Sequence, residues 1–219
     1  MEQAILTHTQ KTALSLVGDD PALRRFYLSG GTALSAFFLQ HRVSDDLDFF
    51  TPNSVPLADV SKTVQKIKQA IGAQEVRSDR LHDRHLFFFE LPDGELKLEF
   101  SQYPFDTLEP LVLNADHHVY LDSLRDIAAN KLMALLDRFD PKDFVDLYFL
   151  LQSRTLQAMQ ADAEVKFGVK IGDLFLGSEL AKVRRVEALP KMLKPLTVIE
   201  LKAFFTDLAH ALKPRVLSE

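Results

Sequence analysis

The chain has 219 residues, 47% hydrophobic and 26% charged, a balance that excludes disordered and fibrous classes and allows a sizeable core. Cysteine is absent, so disulfide frameworks, thiolate zinc sites and cysteine nucleophiles are excluded. The net charge is −5, unevenly spread: residues 1–150 hold 15 Lys/Arg against 23 Asp/Glu and residues 151–219 hold 11 against 8, which argues against non-specific duplex binding.

The opening MEQAILTHTQK lacks the basic start and apolar block of a secretory signal, and no apolar run approaches the roughly 18–20 residues a membrane span needs. A cytoplasmic protein with no membrane partner is expected. A first helix ends before the turn cluster Gly18-Asp19-Asp20-Pro21. Phe26-Tyr27-Leu28 reads as a short buried strand ending at Gly30-Gly31, and Thr32 to Gln40 as a helix with Leu34, Phe37 and Phe38 at helical spacing. Asp46 to Phe50 reads as a second strand. Leu57, Val60, Val64, Ile67 and Ile71 predict an amphipathic helix over 56–71, with Pro56 in its first turn. His85–Leu91 and Glu95–Ser101 flank Pro92-Asp93-Gly94, a hairpin signal, and the second arm alternates Leu96, Leu98 and Phe100 with Glu95, Lys97 and Glu99. From Asp122 the pattern is helical, with helices expected over 123–138, 141–153, 155–166, 178–189 and 198–212. Asp140-Pro141 supplies a cap with proline at the first helical position, and Thr197-Val198-Ile199-Glu200 forms a capping box.

Two carboxylates at Asp46 and Asp48 share one face of a strand whose other face carries Leu47 and Phe49. Acids so placed repel unless a cation neutralises them, and magnesium suits a site of a few carboxylates plus substrate phosphates. The plain alternative is an edge strand with a solvated acidic face. The glycine pair shifts the balance. Between a buried strand and a helix it lets backbone approach a ligand closely, and the helix start offers N–H groups to phosphate. Thr32 can add a hydroxyl. A phosphate cradle followed 14 residues later by paired aspartates favours a nucleotide site.

Gly30-Gly31-Thr32-Ala33-Leu34, followed by His41-Arg42-Val43-Ser44-Asp45-Asp46-Leu47-Asp48-Phe49-Phe50, resembles the first motif of AbiEii/MenT-type nucleotidyltransferases, in the DNA polymerase β-like superfamily. Asn130-Lys131-Leu132-Met133-Ala134-Leu135 resembles the family's lysine motif. Lys142-Asp143-Phe144-Val145-Asp146-Leu147-Tyr148 resembles its basic-Asp-x-x-Asp-Leu-Tyr motif, with Lys142 where many members carry arginine. These motifs run from about residue 28 to 150.

The resemblance implies an α+β fold, a polymerase β-like mixed sheet with flanking helices followed by a helical C-terminal part. The expected division is a nucleotidyltransferase core over 1–120 and a helical domain over 121–219 completing the active-site cleft. It implies that Asp46 and Asp48 hold Mg2+, that Ser44 and Gly30-Gly31-Thr32 hold the triphosphate, that Lys131 neutralises phosphate charge and that Asp143 orients that lysine or the incoming base. Glu99 is the candidate third metal carboxylate, with Glu95 and Glu90 as competitors and an exposed polar sheet face as the alternative. Asp143 also suits helix capping, and Asp146 is read as structural or as a supporting acid.

The implied activity is transfer of a nucleoside monophosphate from an NTP to an acceptor hydroxyl. A tRNA end is the implied acceptor, and the protein is the implied toxin of a toxin–antitoxin pair with a cognate antitoxin as partner. A small-molecule or protein acceptor, or a non-catalytic nucleotide-binding module, are the alternatives. Weaker features complete the survey. His82, His85, His117 and His118 show no zinc spacing. Arg77, Arg80 and Arg84 suit a solvated loop or an acceptor contact, and Ser29 lacks the surroundings of a hydrolase nucleophile.

Overall fold

The computed structural model describes residues 5–212; residues 1–4, part of the opening read above for a targeting signal, and residues 213–219 lie outside the described residues. The chain divides into two compact units. One comprises the residues up to Gln40 with Ser44–Leu124, and the other comprises His41–Val43 with the residues from Arg125 onward.

The first unit opens with α1 (His8–Gly18), started by a capping box in which Thr7 and Gln10 satisfy each other's backbone N–H groups. β1 (Tyr27–Ser29) is fully buried and runs straight into α2 (Gly30–Ala33), which continues as a π-helical stretch over Leu34–Leu39 and stops at Gln40 in the left-handed region. The expected helix over 32–40 is therefore present, with a wider final turn; such turns recur at functional sites. β2 (Leu47–Thr51) and α3 (Leu57–Ile71) follow, the latter ended by Gly72 at φ +67°.

Five further strands complete this sheet among the described residues. β3 (Val76–Leu81), β4 (Arg84–Leu91) and β5 (Gly94–Gln102) pair antiparallel in turn, and β6 (Val112–Asn114) pairs with β7 (Val119–Leu121). Among the described residues the sheet has seven strands in the order β3-β4-β5-β2-β1-β7-β6. It is mixed: β2 lies parallel to β5 and antiparallel to β1, and β1 lies parallel to β7.

One face of the sheet is apolar because alternate residues of the central strands are. Leu28, Leu47, Phe49, Leu98 and Phe100 are buried there with Val60, Val64 and Ile67 of α3 and Leu14 and Val17 of α1. The Phe49 and Phe100 rings stack at 5.1 Å, and Phe26 meets Phe100 edge-on at 5.2 Å. The period of two places Asp48, Lys97 and Glu99 on the opposite face.

Within the second unit lie α4 (to Asp137, from Leu124), α5 (Pro141–Leu150), α6 (Leu156–Phe167), α7 (Asp173–Leu180), a 3-10 turn over Ala181–Arg185, and α8 (Val198–Ala211). Asp140 caps α5 ahead of Pro141, and Thr197 with Glu200 closes the capping box of α8, as expected. The helix expected over 178–189 lies earlier. The buried stripe is Leu176, Leu180 and Val183, and Pro190 keeps residue 189 out of the helical region. Among the described residues no helix is long and apolar enough to cross a membrane.

Candidate active site

The geometry around the first motif is fixed by a glycine. Gly30 takes φ +72°, and a Cβ there would sit 2.3 Å from Asp48 Oδ2. Only glycine accommodates both the left-handed backbone and the neighbouring carboxylate. β1 and β2 run antiparallel with Ser29 opposite Asp48, which brings the turn and the acid together. Ser29, at the N-cap of α2, does not cap it, since its hydroxyl donates to Asp122 Oδ2 at 2.7 Å. Among the described residues the first turn of α2 has no side-chain cap.

Thr32 and Ser44 hold the approach to β2. Thr32 is buried, and its hydroxyl donates to the backbone carbonyl of Asp46 in a short hydrogen bond. Gln10 of α1, also buried, donates through Nε2 to the carbonyls of Ser44 (2.8 Å) and Asp45 (3.1 Å). The loop carrying Ser44, Asp45 and Asp46 is thus tied down by two side chains that the sequence does not mark as neighbours. Asp46 just precedes β2, and its side chain is 44% exposed.

Asp48 pairs in register with Glu99 on β5, but Glu99 has its own cations. Arg84 Nε and Nη2 donate to its two oxygens, each at 2.6 Å, and Ser101 Oγ donates at 2.7 Å. Burial pushes the Glu99 carboxyl up, yet Arg84 and Ser101 hold it below the usual carboxylate range. Lys97 Nζ lies 3.1 Å from Asp46 Oδ2 and 3.8 Å from Glu99 Oε2. Burial pulls its ammonium down, but Asp48, Asp46 and Glu99 keep it above the ordinary lysine value. Among the described residues no group of three or more His, Asp or Glu side chains is gathered so as to hold a metal ion. What the chain offers is the Asp46–Asp48 pair, and such a donor set suits magnesium, which commonly takes one or two carboxylates and completes its shell with water and substrate phosphates.

The second unit contains a separate buried cluster. Asp146 Oδ1 accepts from Arg42 Nε at 2.6 Å and from His41 Nε2 at 2.7 Å, and Oδ2 accepts from Arg42 Nη2 at 2.8 Å. Lys131 Nζ sits 2.7 Å from Asp146 Oδ2 and 3.0 Å from Asp143 Oδ1, and Arg138 Nε reaches Asp143 Oδ2 at 3.1 Å. Burial pushes the Asp146 carboxyl up, but Lys131, Arg42 and His41 hold it far below the usual range. Burial lowers His41, whose enclosed Nδ1 has no hydrogen-bond partner among the described residues, and it lowers Lys131 less than Asp146 and Asp143 raise it. Lys142 is exposed and takes no part in this cluster; the basic contacts to Asp143 come from Lys131 and Arg138.

His41 and Arg42 belong to this unit by their bonding. Arg42 bridges Met192, Val43 N–H donates to the Lys191 carbonyl at 2.8 Å, and the His41 carbonyl accepts from Leu193 N–H at 2.9 Å. Both residues sit within the first motif, where nothing in the sequence marks this role. His41 lies 105 and Arg42 104 residues from Asp146, a separation that offers no local signal.

The remaining candidates scatter. Arg77 and Arg80 lie on β3 and Arg84 opens β4, so the expected solvated loop is two strands. Arg77 pairs with Asp79 and lies over the Phe88 ring at 4.1 Å. His117 Nδ1 shares a hydrogen bond with Ser15 Oγ (3.0 Å), and His118 Nδ1 lies 2.7 Å from Asp19. Glu95 and Glu90 face each other across the β4–β5 turn at the far end of the hairpin from Glu99's partner Arg84.

A glycine turn locked against an aspartate strand, on a mixed sheet of this order, can be compared with known proteins. Residues 14–215 match the family model described as the AbiEii nucleotidyl transferase toxin of type IV toxin–antitoxin systems. The chain belongs to the AbiEii nucleotidyltransferase family. It is similar to an uncharacterised protein of Aquifex aeolicus, 32% identical over 163 residues covering 74% of each chain. Its fold is that of a candidate nucleotidyltransferase from Helicobacter pylori (TM-score 0.63, 19% identity, 97% of this chain and 95% of that one). It is also that of MenT4, a nucleotidyltransferase toxin of Mycobacterium tuberculosis (TM-score 0.51, 16% identity, 94% and 86%). As an AbiEii member the protein is a nucleotidyltransferase with the α+β fold expected of it.

Proposed function

We propose that this AbiEii nucleotidyltransferase moves a nucleoside monophosphate from an NTP to a hydroxyl of an RNA acceptor, a tRNA end, as the toxin of a pair with a cognate antitoxin. The observation that carries the catalytic part is Asp48 lodged against Gly30, which joins a carboxylate to a backbone turn that no side chain obstructs. Asp46 and Asp48 would hold magnesium, which supplies the charge that makes the α-phosphate electrophilic and the attacking hydroxyl acidic. Gly30, Gly31 and Thr32 offer backbone N–H groups to phosphate oxygens, and Ser44 adds a hydroxyl beside the acidic pair. In this reading the Thr32 side chain keeps its bond to Asp46 and the residue contributes its N–H.

Lys131 has three donors, and the two carboxylates it touches leave one for a phosphate oxygen, with Asp143 orienting the ammonium. Asp146 anchors the lysine and the His41-Arg42 segment together. Glu99, taken by Arg84 and Ser101, is assigned to holding those side chains and Lys97.

The test is incubation of the protein with each α-labelled NTP and magnesium in the presence of total RNA, followed by separation of RNA, protein and metabolites. Label in tRNA is the expected result. Label in protein or a small molecule redirects the acceptor, and the absence of label in every fraction rejects the activity for this chain.

A further inference from the structure

Lys97 stands beside the acidic pair yet belongs to none of the motifs. Its Nζ donates to Asp46 Oδ2 at 3.1 Å and lies 3.8 Å from Glu99 Oε2, and the charge of Asp48 also acts on it. Asp46 and Glu99 differ in kind. Glu99 is only 4% exposed and already accepts from Arg84 and Ser101, whereas the Asp46 side chain, which takes the ammonium of Lys97, is 44% exposed.

A divalent ion coordinated by Asp46 at about 2.1 Å weakens the hold of an ammonium on the same carboxylate, because the two positive charges repel at close range. Lys97 and an arriving ion therefore compete for Asp46. The Lys97 backbone is anchored on β5 between the buried Leu96 and Leu98, and Glu99, 3.8 Å from its ammonium, keeps it nearby. The charge it gives up at Asp46 is then offered to whatever anion accompanies the metal.

We propose that Lys97 is the resident counter-cation of Asp46: it competes with the divalent ion for that carboxylate and, once displaced, binds a phosphate of the incoming nucleotide. This rests on Asp46 and Asp48 being the metal ligands of a nucleotidyltransferase. It makes the free protein a weak metal binder and makes metal and triphosphate favour each other, since the nucleotide receives the ammonium that the ion expels.

Removing the charge should move two affinities in opposite directions. In calorimetric titrations of the full chain, Lys97→Met is expected to bind Mn2+ alone at least about fivefold more tightly than wild type, and a non-hydrolysable NTP analogue in saturating Mn2+ at least about fivefold more weakly. Lys97→Arg, which keeps the charge, should follow wild type more closely in both. If Lys97→Met fails to fold, Lys97→Gln takes its place, with a thermal melt as the control. Unchanged or weaker Mn2+ binding overturns the proposal, and so does unchanged analogue binding. A merely structural lysine would weaken both. None of these measurements needs turnover, so a failure of label transfer by the wild type rejects the assigned reaction without touching this comparison.

Discussion

Arg42 and Asp146 form a two-pronged ion pair, Nε and Nη2 donating to opposite oxygens at 2.6 and 2.8 Å, with both side chains almost fully buried. Lys131 and His41 complete the shell of the same carboxylate. A buried acid with three partners is a structural commitment, because removing it leaves cations with no compensation.

Asp146→Asn should accordingly destabilise the protein by about 3–5 kcal/mol. Urea denaturation followed by circular dichroism measures it. A loss near zero would mean that water or Asp143 replaces the carboxylate and that Arg42 is not held as described.

The same cluster sets a pH dependence. His41 has a folded-state pKa lowered by burial, so its neutral form is favoured in the fold and its contribution is present above the unfolded value of about 6.5 and lost as pH falls below it. Asp146 is also lowered, despite burial, by Lys131, Arg42 and His41; its contribution is present above the unfolded carboxylate value of about 3.9 and lost as pH falls further. Stability should thus decline on acidification in two windows. His41→Gln should flatten the slope between about pH 7 and 5, and Asp146→Asn the slope below about pH 4. Melting curves across pH for the three proteins check the order; a slope unchanged by either substitution contradicts it.

Asp48→Asn retains the shape beside Gly30 while removing the charge. Nucleotidyl transfer should fall by about a hundredfold or more, with the melting temperature close to that of wild type. Retained label incorporation would remove Asp48 from the chemistry.

Gly30→Ala should fail for two reasons that add. The left-handed backbone disfavours alanine by about 1 kcal/mol or more, and the new methyl group meets Asp48 Oδ2. Activity should drop further than stability, which a paired thermal melt and transfer assay would reveal. A variant as active as wild type would show that Asp48 does not need its present seat.

Thr32→Val keeps the volume of the side chain and deletes its bond to the Asp46 carbonyl. The expected cost is about 1 kcal/mol in stability and about tenfold or more in transfer, through misplacement of Asp46. Equal loss in Thr32→Ser, which keeps the hydroxyl, would point to packing instead.

The parts of this molecule legible in the sequence are those with strong periodicity or punctuation. The Pro92-Asp93-Gly94 turn, the Leu47/Phe49 alternation and the Asp140-Pro141 cap each specify their element locally. β3 escaped notice because five of its six residues are exposed and polar residues dominate it, so it has no apolar rhythm to read. β6 and β7 span three residues each, below the length at which alternation can be recognised. At the candidate site, Asp46, Asp48 and the glycines are legible because they fall close together in one short stretch of sequence. Arg84 on Glu99 and Arg42 on Asp146 were not, since an acid's partner is chosen by sheet register or helix packing far along the chain. Lys97 was in view as one letter of an alternating strand, and only its distance to Asp46 distinguishes it from a solvated lysine.

The passage of His41–Val43 out of the first unit's bonding and into the second's bears on how this enzyme can be cut or recombined. A fragment ending at Leu124 would look like a self-sufficient α/β module on a gene map, yet it would strand a guanidinium and an imidazole without their acid, two residues ahead of the loop that leads to the aspartates. Splitting or grafting experiments on such chains should therefore carry both halves, or redesign the tripeptide along with the break.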